Sequence, residues 1–308
     1  MKKLLLHIGY HKTGTTSIQN SLFDREGGHA YIGKSTLWRN SSKDLSEYLL
    51  HLICDASDDV FFKKYDELKS RLASYCGEKN QLVWSEELIL GDSESYMGGS
   101  QSLETRLSRL GLIFIEFDII VLLTVRSPID AMYSLYSQKF RFLRNRERDF
   151  ISFFKKKNIL KLYNYSSLID VVLANLNCDV VVIDMKEALK INGIRDKISE
   201  FDFIPIDVEL THDNRSSFDV DGNKIQKRFS LAALLKKLIK GRFFLYLNAV
   251  RMKFSVINEV WLKLNEKLGG SVAIPEITQD EVRLLECELS KDMECFYEKY
   301  DIDYRFKG

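Results

Sequence analysis

The chain has 308 residues, with 45 Lys and Arg against 44 Asp and Glu, a formal net charge of +1 and an apolar fraction of 45%. That balance excludes disorder as the main state. It also argues against a groove that neutralises many nucleic-acid phosphates, so nucleic acid is not expected as a partner and any anion site has to be local.

A chain of this size can bury roughly 75% of its unfolded surface in one α/β unit. With three prolines and no Ser/Gly-rich linker it shows no domain boundary. A single domain over 1–308 is therefore expected, with an α/β core over 1–205 and a loop and helical part over 206–308.

The start, Met1-Lys2-Lys3-Leu4-Leu5-Leu6, imitates the charged end of a signal peptide, but the apolar stretch stops at His7 and Gly9. No apolar run approaches the roughly 20 residues that span a bilayer. A cytoplasmic protein without a transmembrane segment is expected. The five cysteines form no CxxC pair, and Cys287 and Cys295 lie eight apart on a predicted helix, too distant to bridge. Reduced, buried thiols are the expectation.

Leu4 to Gly9 reads as a short buried strand running into a Gly/Thr-rich loop and then an apolar-periodic helix through Ile18, Leu22 and Phe23. The loop is Gly9-Tyr10-His11-Lys12-Thr13-Gly14-Thr15-Thr16-Ser17. Glycines there allow a tight turn, so that successive N–H groups and the helix start converge on one spot and favour an anion by hydrogen bonds and dipole. The Gly9-x4-Gly14 spacing matches the opening of a Walker A loop, yet Thr15 stands where a nucleotide triphosphatase needs its lysine, and Lys12 lies inside the loop instead.

Gln81 to Trp84 reads as a second strand, which delivers Glu86 and Glu87 to its C-terminal end, the edge on which α/β sheets assemble their sites. Adjacent strand-end carboxylates point in opposite directions, so one of the two faces an anion held by the first loop. A solvated helix start is the alternative use for both. Ile119 to Val125 is the third strand and ends in Arg126, a cation where a metal-dependent phosphotransferase would place a carboxylate. Ser127 and Pro128 suit the start of a helix, and Ser134 follows about two turns in. Val180 to Ile183 is the fourth strand. Alternation of these strands with helices predicts an α/β three-layer sandwich around a mostly parallel sheet.

Taken together, Lys12-Thr13-Gly14-Thr15-Thr16 and Arg126-x7-Ser134 with Tyr136 resemble the two nucleotide motifs of the PAPS-dependent sulfotransferases, a family with a P-loop NTPase-like fold. The resemblance is nearer to the bacterial-type carbohydrate or glycan branch than to the branch acting on phenols and steroids. It implies a donor, 3′-phosphoadenosine 5′-phosphosulfate (PAPS), a product, adenosine 3′,5′-diphosphate (PAP), and no metal. Lys12 and the 13–17 loop (Thr13, Gly14, Thr15, Thr16 and Ser17) would hold the 5′-phosphosulfate, with hydroxyls of Thr15, Thr16 and Ser17 as added donors. Arg126 and Ser134 would bind the 3′-phosphate. Glu86 aligns best with the general base of glycan sulfotransferases; Glu87 and His11 remain alternatives. The implied acceptor is a hydroxyl of a glycan or glycolipid.

The competing reading is a P-loop kinase, for which Val180-Val181-Val182-Ile183-Asp184 could serve as the metal-holding strand. Three weaker features remain. The 139–157 segment carries eight basic against two acidic residues and could steer an anionic donor or polysaccharide, or be a solvated face. His212 to Ser216, with Arg215, sits where a late loop could close over a nucleotide. From about Ser230 the pattern becomes helical; Leu234 to Leu247 is basic and apolar, suited to peripheral membrane contact or to a core helix with snorkelling lysines. A last amphipathic helix covers about Glu281 to Tyr297.

Overall fold

The computed structural model of the chain describes residues 2–9, 13–19, 28–33, 43–90, 100–140, 143, 148–156, 159–190, 193–199, 201, 217–218, 224–227 and 271–305. The chain gathers into two compact units, one made of 1–134, 151–213 and 279–308 and the other of 135–150 and 214–278.

The first unit is an α/β sandwich. Its sheet contains β1 (Lys2–His7), β2 (His29–Ile32), β3 (Gln81–Ser85), β4 (Phe117–Val125) and β5 (Asp179–Asp184) in the order β2-β3-β1-β4-β5, and every pairing is parallel. Four of these strands coincide with the apolar runs of the sequence. Three of them, β1, β3 and β4, are contiguous apolar runs because a central parallel strand is covered on both faces; β5 lies at the sheet edge and is mostly half-buried. The fifth, β2, was not expected.

Alternation along the strands separates the two layers. On one face Leu5, Val83, Ile120, Leu122 and Ile183 pack against Ile18 of α1 (Thr15–Ile18), Ala188, and Ile194, Ile198 and Phe201. Trp84, of the opposite parity, meets Phe114 at the end of α4 (Leu103–Ile113), with ring centroids 5.9 Å apart. The intervening helices are α2 (Lys43–Leu50), which continues into a π-helical turn over His51–Asp55, and α3 (Asp58–Cys76). After β4 come α5 (Pro128–Lys139), α6 (Phe150–Lys156) and α7 (Tyr165–Asn175); β5 is followed by α8 (Met185–Ala188).

The connection from β1 therefore leaves on the α1 face toward β2, and that from β3 leaves on the α4 face toward β4. Adjacent strands whose connections leave on opposite faces open a crevice at their C-terminal ends. That crevice lies between the loop after β1 and the Glu86-Glu87 pair after β3.

The final helix, α9 (Gln279–Tyr300), buries Leu285, Leu289, Met293 and Phe296 at helical spacing, as the sequence periodicity predicts. All five cysteines are free; Cys54 and Cys76 are buried, but Cys287 is exposed, a departure from the expectation of buried thiols that follows from its place on the outer face of α9. In the second unit, Ser217–Phe218, Lys224–Lys227 and Ser271–Ala273 form a small antiparallel sheet that the helical reading of the C-terminal part omits. The Tyr136 ring there lies edge-on to Phe140 and Phe150, and its hydroxyl donates to the carbonyl of Arg148. The proposed helix over 234–247 and the 212–216 loop lie outside the described residues, and no helix among those described is long and apolar enough to cross a membrane.

Candidate functional site

The face of the sheet that packs against α1 turns from apolar to polar at its last rung: Leu5 gives way to His7, Val83 to Ser85 and Leu122 to Thr124, each two residues on and hence on the same side. His7 Nδ1 lies 2.7 Å from Ser85 Oγ, and His7 Nε2 lies 3.4 Å from Thr124 Oγ1. Gln19 Nε2, just past α1, donates to Ser85 Oγ at 2.8 Å. Thr13 Oγ1 in the loop lies 2.9 Å from Thr124 Oγ1. Every one of these side chains is buried, where hydrogen bonds between polar groups fix geometry, although Gln19 Oε1 is left without a partner among the described residues. The glycine loop is thus bolted from below to three strand ends.

Gly9 is required by this fit. An ideal Cβ there would come within 2.3 Å of Thr124 Oγ1 and 2.6 Å of Thr15 Cγ2. Gly14 is the residue before α1 and has φ 81, a left-handed conformation that suits glycine. A Cβ on it would lie 3.1 Å from Met185 Cγ, so the loop runs directly past the first residue of α8.

The Thr15 hydroxyl donates to the Glu87 carboxylate, which brings the end of β3 onto the first turn of α1. Its single proton is spent there. Thr16 is half-buried, and Ser17 is buried. Glu86 is fully buried: its backbone N–H donates to the His7 carbonyl at 3.0 Å, and its carboxylate accepts the Leu88 N–H at 3.2 Å. It also acts on Cys54, whose thiol burial pushes up to about 11, with Arg106 opposing and Asp55 and Glu86 adding to the rise. Lys12 and His11 lie outside the described residues.

Arg126 directly follows β4 and opens on a cavity of about 680 Å³ at the C-terminal ends of β4 and β5. Ser127, Asp184, Met185, Lys186 and Tyr304 share its lining. The guanidinium lies 3.9 Å from Asp130, an exposed partner one helical turn away. Tyr165 donates its hydroxyl to the Arg126 carbonyl at 2.8 Å, and burial holds that phenol well above its ordinary value. Asp184 caps α8 by accepting the Lys186 N–H at 2.7 Å, and it also accepts the Tyr304 hydroxyl. Ser134 does not line the cavity. It lies seven residues after Ser127, on the helix stripe that carries Ser127 and Asp130, both of which do.

The two sequence motifs thus meet through one residue, since Met185 touches the position of Gly14 and lines the cavity of Arg126. Sequence reasoning missed His7, Gln19, Ser85, Thr124, Asp184 in this role and Tyr304. The parity of apolar-to-polar change at the strand ends was a usable signal for the His7, Ser85 and Thr124 rung. Of the basic segment, Lys155 pairs with Glu288 at 3.1 Å. Among the described residues no group of three or more His, Cys, Asp or Glu side chains could hold a metal ion.

No protein-family model matches the chain, and no curated protein matches it. Among solved structures it is similar to a sulfotransferase from Alicyclobacillus acidocaldarius, at 12% identity over 98% of this chain and 97% of that one, with a TM-score of 0.47.

Proposed function

We propose that the chain is a sulfotransferase that moves a sulfuryl group from PAPS to a hydroxyl of a glycan or glycolipid and releases PAP. The observation that carries this reading is the adjacency of Gly14 to Met185, which joins an anion loop to a cavity headed by Arg126. A donor with phosphate at both 5′ and 3′ positions needs two anion sites a nucleoside apart, and an arginine at a strand end supplies the second.

In this reading the amides of the 13–17 loop and Lys12 take the 5′-phosphosulfate, and Arg126 with Ser134 takes the 3′-phosphate. Glu86 accepts the acceptor's hydroxyl proton as its oxygen bonds to sulfur. The bond from sulfur to the bridging phosphate oxygen breaks in line, and that oxygen gains charge as it leaves. Lys12 on the departing phosphate stabilises the transition state more than the ground state. Glu87 holds Thr15, and through it the loop.

A P-loop kinase would use Asp184 to hold its metal. That carboxylate accepts hydrogen bonds from Lys186 N–H and from Tyr304. Thermal unfolding with PAP, without metal, against MgATP separates the two. Ligand at 100 times its Kd adds roughly 2.7 kcal/mol. Stabilisation by PAP supports the proposal, and stabilisation by MgATP alone sinks it.

A further inference from the structure

We propose that Tyr304 is a positioning residue of the donor site, holding the Asp184 carboxylate away from Arg126 so that the guanidinium stays open to a phosphate. The proposal rests on the reading that Arg126 receives the 3′-phosphate of the nucleotide.

The sheet register creates the problem that Tyr304 solves. Val125 pairs with Asp184 across β4 and β5, so the residue after Val125, Arg126, emerges beside an aspartate. A guanidinium and a carboxylate side by side form a bidentate pair readily, and an arginine so clamped has its donors filled and its charge neutralised. In the structure each Asp184 oxygen already accepts a hydrogen bond that orients the carboxylate: Oδ1 accepts the Lys186 N–H at 2.7 Å and Oδ2 accepts the Tyr304 hydroxyl. Among the described residues the ion-pair partner of Arg126 is Asp130, at 3.9 Å and with its side chain 57% exposed. A pair of that kind is weak and easily displaced by an incoming phosphate.

The C-terminal segment is built to bring Tyr304 to this place. Helix α9 ends at Tyr300, and Asp301 turns the chain with φ 54, its N–H donating to the Tyr297 carbonyl at 2.8 Å. Residues 301–305 then run along the cavity wall. The Tyr304 ring lies parallel to Phe296, with centroids 6.1 Å apart and 6° between planes, and edge-on to Tyr165 at 6.5 Å. Tyr165 is the residue that holds the Arg126 carbonyl. One aromatic cluster therefore fixes the arginine's backbone and the phenol that occupies its nearest competitor. Burial and the Asp184 carboxylate both raise the Tyr304 phenol far above its ordinary value, so it remains a donor across the physiological range.

The test uses two probes, PAP and adenosine 5′-monophosphate, which differ at the 3′-phosphate, titrated calorimetrically into the full chain. Wild type is expected to prefer PAP. Tyr304→Phe keeps the ring packing, removes the hydroxyl, and should cut the preference about tenfold while leaving the 5′-monophosphate affinity unchanged. Adding Asp184→Asn should restore the preference, because an amide still caps α8 but has no charge with which to neutralise Arg126. Asp184→Asn alone should keep or raise it, and serves if Tyr304→Phe fails to fold.

Full preference in Tyr304→Phe, equal loss for both nucleotides, failure of the double variant to recover, or a lower preference in Asp184→Asn would each overturn the role given to Tyr304. A wild-type chain that binds the two nucleotides equally overturns the donor assignment itself, and this inference with it.

Discussion

The hydroxyls of Thr13 and Thr124 lie 2.9 Å apart, tying the glycine loop to the strand that Arg126 directly follows, two residues beyond Thr124. The glycine loop and the arginine are thereby registered to each other through β4. Thr124→Val keeps the shape and removes the hydroxyl that also faces His7 Nε2. A buried hydrogen bond contributes about 1 kcal/mol, and more when its partner is left short. Urea unfolding should show a loss of about 1 to 3 kcal/mol for Thr124→Val, with weaker PAP binding, and recovery of both in Thr124→Ser. Wild-type nucleotide affinity in Thr124→Val would show that the tie does not organise the loop.

Gly9→Ala tests the same fit by crowding. The added methyl would sit 2.3 Å from Thr124 Oγ1, and both Thr124 and its strand are buried without room to retreat. Overpacking of this kind costs about 1 to 3 kcal/mol. A lowered urea midpoint with an unchanged m-value is expected, accompanied by weaker PAP binding. Gly28, whose Cβ would meet nothing within 4 Å, is the control, and Gly28→Ala should leave both quantities near wild type.

Helix α7 depends on a cap from a distant part of the chain. Its own N-cap residue, Asn164, makes no side-chain capping bond, and Asp292 of α9 accepts the N–H groups of Ser166 and Ser167 at 3.0 and 2.9 Å and the Ser167 hydroxyl at 2.7 Å. A carboxylate at that place satisfies first-turn donors and matches the dipole. Asp292→Ala should lower stability by roughly 0.5 to 2 kcal/mol, and Asp292→Asn by less. An unchanged unfolding midpoint in Asp292→Ala would contradict the cap.

These three sites mark how far the sequence could be read. The strands carrying Leu5, Val83 and Leu122 are legible because burial on both faces produces unbroken apolar runs, and that of Val181 because its run of β-branched residues suits a strand even at the half-buried sheet edge. Strand β2, only His29–Ile32 at the sheet edge, has too few residues and too mixed a composition to stand out. The loop and Arg126 are legible as local patterns. The rung of His7, Ser85 and Thr124 is legible only in part: each strand shows its own change from apolar to polar, but that the three meet is known only once the register sets His7 beside Ser85. Tyr304 is further still from local reading, since Asp301 to Arg305 has no periodicity and takes its meaning from a fold that returns the chain to the end of β5.

The thiols give a pH dependence with a definite sign. Burial pushes Cys54 up to about 11, and burial followed by Asp179 pushes Cys178 up to about 12. An unfolded thiol ionises near 8.5. The folded chain keeps these protons where the unfolded chain gives them up. The stabilisation is full below about 8.5 and is lost as pH rises through about 11 for Cys54. The free energy of unfolding should fall above about pH 9 and be flat in this respect near neutrality. At pH 8 a thiol reagent should modify exposed Cys287 first and reach Cys54 only on unfolding. Rapid modification of Cys54 in the folded chain would contradict the burial.

The two glutamates after β3 should separate in their effects, because they touch different things. Glu86 is fully buried against Leu88 N–H and the His7 carbonyl end of β1, whereas Glu87 receives the Thr15 hydroxyl. As the proposed base, Glu86 acts on the acceptor's proton, so Glu86→Gln should abolish turnover and leave PAP affinity intact. In the proposed role of Lys12, Lys12→Ala removes the cation that faces the departing phosphate and should cost roughly 3 to 4 kcal/mol of barrier, with a smaller loss of ground-state binding. Glu87→Gln keeps an acceptor for Thr15 but loses the charge-assisted bond, so it should raise the donor KM several-fold with kcat little changed, and Thr15→Val should reproduce it. Steady-state kinetics beside nucleotide titration resolve all four variants. Full turnover in Glu86→Gln removes that residue from the base role. Loss of turnover in Glu87→Gln with unaltered donor KM gives that role to its neighbour.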